Sequence, residues 1–354
     1  MKSQFYYTLK RYRIILFNWE YWSFNVVYFP IYFYWIWLSI KAKSFFFFST
    51  SNPTIENGGF MMECKNDIYD ILPQQFYPKT ILIKRDFSFA TIEALLLQHQ
   101  LQFPLVAKPN IGERGNDVKK LLSKQEIINY HSTSKVDFLI QEWCNYNNEI
   151  GLFYCKYPHQ SKGTITGIVQ KEFLTITGDG VNTIEALMQQ DDRYFLQINA
   201  LKKINPTFLN HVLQKHEKQV LVPYGNHCRG SKFVDYGFKI DAQLTHVFNV
   251  ICNQIPGFYF GRMDIRFENW ELLKEGKNFS IIELNGAGSE PTHIYDPNHS
   301  IFFAWKEIIK HLNILYEISV QNKKKYNLNF MSFKEGMQLL RTKKEYDILA
   351  NTKN

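Results

Sequence analysis

Residues 261–297 read GRMDIRFENWELLKEGKNFSIIELNGAGSEPTHIYDP, and the rest of the chain falls into place around them. Two runs rich in β-formers, 258–267 and 280–285, flank a polar segment bearing Glu275-Gly276, which is the pattern of a β-hairpin. Alternation along the first run puts Arg262, Asp264 and Arg266 on one face and Met263, Ile265 and Phe267 on the other. In the second run Glu283 and Asn285 share a face, opposed by Ile282 and Leu284. Where the polar faces coincide, Asp264, Glu283 and Asn285 converge as oxygen donors beside a guanidinium. Two carboxylates at close range need a cation between them, and an all-oxygen set suits Mg²⁺ held together with substrate phosphates. A half-solvated strand with ordinary surface charges shows the same alternation, so the hairpin alone leaves both readings open.

R-x-D followed by E-x-N in adjoining strands resembles the metal-binding end of the ATP-grasp fold, in particular the D-alanine:D-alanine ligase, glutathione synthetase and cyanophycin synthetase branches. The resemblance implies an α+β protein in which two α+β subdomains sandwich the nucleotide. A reduced pre-ATP-grasp segment and an aromatic-rich N-terminal helix would precede them. The corresponding segments are 1–43, 44–84 and an ATP-grasp domain at 85–319, followed by a lysine-rich tail at 320–354 that reads as a surface appendage. The resemblance assigns Asp264, Glu283 and Asn285 to one or two Mg²⁺ ions, with Mn²⁺ as a substitute. Arg262 would steady an acyl phosphate.

Composition sets the outer limits. A chain of 354 residues with 45% hydrophobic content builds two or three subdomains with a real core. The 30 Phe, 21 Tyr and 7 Trp exceed what a core requires, and many crowd into the first fifty positions. A formal charge of +8 favours anionic partners: nucleotide phosphates, an acidic substrate or an anionic membrane surface. Nucleic acid is disfavoured, because the basic residues are dispersed and the aromatics sit in an uncharged block. Five cysteines without a C-x-x-C pair argue against a disulfide framework or a zinc site, and point to a reducing cytoplasmic compartment.

Arg11 and Arg13 precede a charge-free stretch at 22–40, WSFNVVYFPIYFYWIWLSI, and Lys41 and Lys43 close it. As a helix it is only about as long as the hydrocarbon core is thick, with Pro30 near its middle. It lacks the cleavage site of a signal peptide. Three placements stay open: a helix against the inner face of the cell membrane, a helix packed on the body or on a second copy in a homodimer, and a span.

Residues 45–48 read as a buried strand, and 65–72 as a short helix ended by Pro73. Lys65 falls where the family places a lysine near the nucleotide phosphates, with a solvent-facing lysine as the alternative. A helix at 91–100 precedes a strand at 103–109 carrying Lys108, and Gly112-Glu113-Arg114-Gly115-Asn116 follows at once. Glycines around a polar tip let backbone amides fold over phosphates. Ser123-x-x-Glu126 then opens a helix as a capping box. By resemblance Lys108 meets the phosphates, and Gly112, Arg114 and Gly115 belong to the flexible lid.

The strand at 138–144 ends in Glu142, Trp143 and Cys144, matching the family hinge whose backbone binds the adenine edge, and Glu149 matches the glutamate on the ribose hydroxyls. Lys171 falls where a second lysine reaches the nucleotide. The phrase TGDGVNTIEAL at 177–187 resembles cyanophycin synthetases, with Asn182 placed to cap a helix. No chemistry is legible in 192–216. The loop VPYGNHCRGSK at 222–232 offers Asn226 to substrate and Arg229 to γ-phosphate or a carboxylate, while His227 has no second histidine at metal-ligand spacing. After the metal strand, Ser289, Thr292 and His293 are candidates for holding the nucleophile or acceptor.

Lysine strand, glycine loop, hinge, ribose glutamate, second lysine, R-x-D and E-x-N occur in order. They imply an ATP-dependent ligase joining a carboxylate to an amine, such as an amino acid or peptide, through an acyl phosphate. A kinase that stops at phosphate transfer and a noncatalytic nucleotide-binding module tethered at a membrane are the alternatives. The phrase Glu290-Pro291-Thr292-His293 departs from the D-alanine:D-alanine ligases, so dipeptide specificity does not carry over.

Overall fold

The computed structural model describes residues 4–112, 115, 117–223 and 225–351. Helices α1 (Gln4–Phe17) and α2 (Phe24–Ala42) open the chain, and α3 (Lys65–Ile71) leads to β1 (Thr80–Ile83), α4 (Phe89–Gln98), β2 (Leu105–Pro109) and β3 (Lys119–Leu121). Next come α5 (Lys124–Thr133), β4 (Phe138–Glu142), β5 (Asn148–Cys155), β6 (Thr164–Glu172), β7 (Leu174–Thr177), α6 (Ile184–Met188) and α7 (Asp192–Ile204). The remainder is β8 (Lys218–Val222), β9 (Lys232–Asp235), α8 (Ala242–Asn253), β10 (Phe260–Phe267), α9 (Trp270–Lys274), β11 (Phe279–Asn285), α10 (Ile301–Lys325) and α11 (Phe333–Asn351).

Two antiparallel sheets carry the site. The first has the order β1-β4-β2-β3, and Ile83, Ile92, Leu105, Ile127 and Phe138 bury its outer face under α4 and α5. The second has the order β11-β10-β5-β6-β9. The apolar alternation along β10 works as read: Met263, Ile265 and Phe267 are buried in one cluster with Leu244, Phe248 and Ile251 of α8. Burying that side leaves Arg262, Asp264 and Arg266 to the opposite face, toward the first sheet. A two-stranded sheet, β7-β8, packs with α6, α7 and Ile14 of α1 in a separate cluster.

Caps set several boundaries. Ser123 accepts from the Glu126 amide, as read from sequence, and Asp241 from the Leu244 amide. The cap of α6 is Thr183, one residue later than expected, because Asp179 already accepts from the Val181 and Asn182 amides and holds Asn182 in the turn.

The N-terminal segment packs on the body. Val27 and Ile31 of α2 bury against Ile294, Ala304 and Ile308, and Trp305 Nε1 donates to Val27 O at 2.8 Å. Pro30 is accommodated inside α2. Buried Glu20 accepts from Arg193 Nη2 of α7 at 2.6 Å and lies 3.1 Å from His227 Nε2, which ties this segment to the far side of the cleft. The other face of α2 stays outward: Phe29, Phe33 and Ile40 are 63%, 62% and 72% exposed. No helix among the described residues is long and apolar enough to cross a membrane.

Two expectations are corrected. Residues 45–48 form no strand: Phe46 makes one bridge to Met331 and Phe47–Thr50 is a 3-10 turn, since Phe46, Phe47 and Phe48 all bury, which an alternating strand cannot do on one face. The lysine-rich tail is no loose appendage. Helix α10 runs on to Lys325, and α11 returns so that the Tyr346 hydroxyl donates to Ile111 O at 2.9 Å.

Candidate active site

Asp264 of β10 is the register partner of Glu283 on β11, and Arg262 that of Asn285. The register shifts between Asp264 and Ile265, which skips Ile282. On its other edge β10 sets Asp264 opposite Gly151 and Arg266 opposite Glu149. A side chain at Gly151 would crowd the pair behind it, since a Cβ there would lie 3.1 Å from Arg262 Cδ and 3.3 Å from Asp264 Oδ1.

These strands assemble a buried ion network. Arg262 Nε lies 2.9 Å from Asp264 Oδ1, and Lys171 Nζ bridges Asp264 Oδ2 at 2.8 Å and Glu149 Oε1 at 3.0 Å. Arg266 Nε closes it at 3.0 Å from Glu149 Oε2. Burial would raise the Asp264 pKa, but the Arg262 and Lys171 cations hold it at about 2. Burial works against the Lys171 ammonium, and the Asp264 and Glu149 carboxylates more than offset that, so its pKa is raised. Three cations face two carboxylates here, which leaves the network with a surplus positive charge suited to a polyanion.

Across the cleft, Lys108 of β2 is 7% exposed. Its Nζ donates to Tyr69 Oη at 2.7 Å, Gln141 Oε1 at 2.9 Å and Ile282 O at 3.1 Å. Desolvation lowers its pKa to about 8, against the opposing pull of Glu283. Lys65 donates to Gly112 O at 2.5 Å and lies 3.8 Å from Glu283 Oε1. The first sheet thus offers Lys108, and the second offers Lys171 together with the carboxylates.

At the hinge, Trp143 N donates to Pro104 O at 3.3 Å, and Cys144 O accepts from Arg266 Nη1 at 3.3 Å. Arg266 also reaches Pro223 O at 3.0 Å and sits 5.3 Å from the Trp143 ring centroid, so it braces hinge, network and the 222–232 loop together. Sequence reading placed Arg266 on the polar face yet gave it no role. The signal was its phase with Asp264.

One cavity of about 1500 Å³ joins these groups. Lys65, Lys108, Gly112, Gly115, Glu142, Trp143, Cys144, Glu149, Lys171, Asn226, Arg262, Asp264, Glu283, Asn285, Ser289 and Thr292 all line it, as do Leu340 and Lys343 of α11. Arg114 lies outside the described residues. Arg229 does not line the cavity: the turn capped by Asn226 turns His227 toward Glu20, and Gly230 at φ +95° carries the chain away just after Arg229. His293 does not line it either. Its ring packs on Gly167 with Nε2 3.6 Å from Glu307, which draws it beneath the loop. Both leave the set of substrate-contacting candidates. Glu149, read as a ribose ligand, has both oxygens engaged by Lys171 and Arg266 at 3% exposure.

The described residues contain no group of three or more His, Cys, Asp and Glu able to hold a metal alone. The local oxygen donors are the Glu283 carboxylate, the Asn285 amide oxygen and the lone pairs that Arg262 and Lys171 leave on the Asp264 carboxylate, a set that suits Mg²⁺ whose remaining positions are filled by phosphate and water. Glu283 is half-buried, and the Asn285 amide nitrogen is buried with no partner among the described residues, a free donor that suits an acceptor oxygen of an entering anion rather than the cation itself.

No family model matches the sequence, and no curated protein matches it. Solved structures similar to it include a D-alanine--D-alanine ligase from Bacillus anthracis, with 15% identity and a TM-score of 0.40 over 74% of this chain and 68% of that one. A bifunctional glutathione synthetase from Pasteurella multocida gives 12% and 0.41 over 75% of this chain and 37% of that one. A carboxyaminoimidazole ribonucleotide synthase from Aspergillus clavatus, complexed with ATP, gives 9% and 0.37 over 65% and 45%. The likeness is distant, and the chemistry below comes from this chain's own residues. The mixed α/β build, with two antiparallel sheets facing one cleft, is the architecture that the ATP-grasp resemblance implies.

Proposed function

We propose that this chain is an ATP-dependent ligase of the ATP-grasp type, which joins a carboxylate to an amine through an acyl phosphate and releases ADP and phosphate. The observation that carries the reading is that Lys108, Lys171, Arg262, Asp264, Glu283 and Asn285, drawn from two sheets, line a single cavity.

In the proposed reaction a carboxylate oxygen attacks the γ-phosphorus, the bond to the β-bridging oxygen breaks, and ADP leaves. The amine then attacks the acyl carbon and phosphate departs. Chemistry of this kind is governed by positioning and by stabilising charge on the transferring phosphoryl group. Lys108 and Lys171 would meet the phosphates from opposite walls, with Glu149 and Arg266 fixing Lys171 in place. Asp264, Glu283 and Asn285 would hold Mg²⁺, which when bound offsets charge on the β- and γ-phosphates. Arg262 engages Asp264 and Glu290 O with two N–H groups, and a guanidinium has five, so it retains donors for the oxyanion of the tetrahedral intermediate. The hinge at Glu142, Trp143 and Cys144 would take the adenine, with the loop bearing Gly112 and Gly115 closing over the phosphates against water.

The outward apolar residues of α2, flanked by Arg11, Arg13, Lys41 and Lys43, support a cytoplasmic enzyme that touches an anionic leaflet peripherally. Flotation with anionic vesicles tests that placement, and protein left entirely at the bottom of the gradient removes it. The catalytic reading is tested by ADP release from the full chain with Mg²⁺-ATP across amino acids and short peptides. Substrate-stimulated release supports it, and phosphate appearing on a hydroxyl substrate would make the enzyme a kinase.

A further inference from the structure

The cavity is larger than most ligand sites, which run to about 300–1,000 Å³, whereas this one is about 1500 Å³. Its lining runs on past the carboxylates to Tyr28, Trp35, Phe48, Phe60 and Leu312. After Asn285 the chain is zipped onto an earlier segment: Ala287 N donates to Gly58 O at 3.0 Å and Gly288 N to Gly59 O at 2.8 Å. Gly59 and Gly286 touch so closely that a Cβ on Gly59 would lie 2.7 Å from Gly286 Cα. This contact delivers the next residue, Phe60, beside the metal end of the site. Phe60 stacks on Phe48 with centroids 3.9 Å apart, and Trp35 of α2 lies 5.7 Å from both rings. Tyr28 of α2 and Leu312 of α10 line the same space.

The mouth of this chamber is polar. The Asn285 amide nitrogen and the Thr292 hydroxyl, at the two ends of the small-residue loop, are buried with no partner among the described residues. Arg262 stands beside them, its backbone N–H donating to Ser289 Oγ at 3.2 Å. The Tyr28 hydroxyl is engaged by Glu290 at 2.8 Å, so α2 presents its rings inward and fastens its polar tip to the loop. A ligand complementary to such a space has a polar head at Arg262, Asn285 and Thr292 and a bulky hydrocarbon body.

We propose that the acid activated by this enzyme carries a large apolar group adjacent to its carboxylate, housed by Tyr28, Trp35, Phe48, Phe60 and Leu312. This rests on the ligase reading, since it takes the carboxylate end to be the one brought to ATP. The N-terminal aromatic block then has a second purpose besides packing: it is the wall of a substrate site.

The test uses the full chain with Mg²⁺-ATP and hydroxylamine, so that no particular amine is needed. An acyl phosphate formed from RCOO⁻ and ATP, with release of ADP, is captured by hydroxylamine as the hydroxamate with release of phosphate. Across acetate, butanoate, hexanoate, octanoate and 3-phenylpropanoate, kcat/KM should rise about fourfold per added methylene until the chamber is full. Leu312→Trp, which fills the chamber, should abolish the gain of octanoate over butanoate while leaving ATP binding unchanged. Binding of the same acids is followed in parallel by quenching of tryptophan fluorescence. Rates that are flat with length, or highest for succinate, overturn the chamber while the ligase stands. Long acids that bind and compete for the chamber yet give no hydroxamate overturn the ligase reading and, with it, the role of the head group. No binding of any apolar acid overturns the proposal outright.

Discussion

Asp264 and Glu283 face one another as register partners on β10 and β11, but their charges are met unequally. Asp264 is 5% exposed, with one oxygen on Arg262 and the other on Lys171. Glu283 is half-buried, and the nearest cation recorded for it is Lys65 at 3.8 Å. The strand pair therefore holds one carboxylate already neutralised by the protein and one whose charge is left for what enters the cleft.

Glu283→Gln keeps the shape and removes that charge. Turnover should fall about 10²–10³-fold, the loss typical of removing one group that stabilises transition-state charge, with an unchanged unfolding midpoint. ADP release at the wild-type rate would take Glu283 out of the mechanism.

Lys108 gives nucleotide binding a pH signature. Its folded pKa of about 8 lies below the unfolded lysine value. Binding needs the ammonium, which is present below that pH and lost above it, so the ATP dissociation constant should rise up to about tenfold per pH unit above pH 8. The same depression means that the unfolded chain binds more protons between the two values, so this group's contribution to stability increases with pH in that window. Lys108→Met should weaken binding about 10- to 100-fold at pH 7, since hydrogen bonds to charged groups contribute about 1.5–3 kcal/mol, and should flatten the pH dependence. Calorimetric titration from pH 7 to 9.5 checks both.

Lys171→Met removes the cation shared by Glu149 and Asp264, while Arg266 and Arg262 still pair them. What is lost is charge-assisted hydrogen bonding, about 1.5–3 kcal/mol, and urea unfolding should shift by that amount. A shift below 1 kcal/mol would show the network to be less buried than its geometry says.

His311 sets an acid limit. Burial lowers its pKa to about 4, although its contact with Glu307 O at 2.8 Å works the other way, and Thr166 Oγ1 lies 3.0 Å from Nε2. A neutral buried histidine contributes stability above its unfolded pKa near 6.5, and this is lost as pH falls toward the folded value. Wild type should therefore lose stability between about pH 6.5 and 4 more steeply than His311→Gln, as read by thermal unfolding at each pH.

Much of this site was legible because it is local. The alternation of β10 fixed which side chains of 262–267 face the cleft, and the family order of motifs named Lys108, Lys171, Glu283 and Asn285. What stayed hidden is long-range. Nothing within a few residues of Glu149 shows that Lys171 and Arg266 converge on it, because β5, β6 and β10 meet only in the folded sheet. Phe45, Phe46, Phe47 and Phe48 have strand propensity, yet three of them bury together around a turn, an outcome of packing against α2 and α10. In the tail, the abundance of lysines masked Leu340 and Tyr346, which turn α11 back onto the cleft. His293 has the chemistry of a site residue, and only the position of Glu307 on α10 shows that it is held below the surface of the cavity.

The most direct test of the account is the affinity for ATP measured with Mg²⁺ and again with EDTA, in wild type and in Glu283→Gln. The account predicts that Mg²⁺ tightens ATP binding to the wild type and has little effect on the variant. Wild-type protein that binds no ATP, or binds it equally with and without the metal, would contradict it.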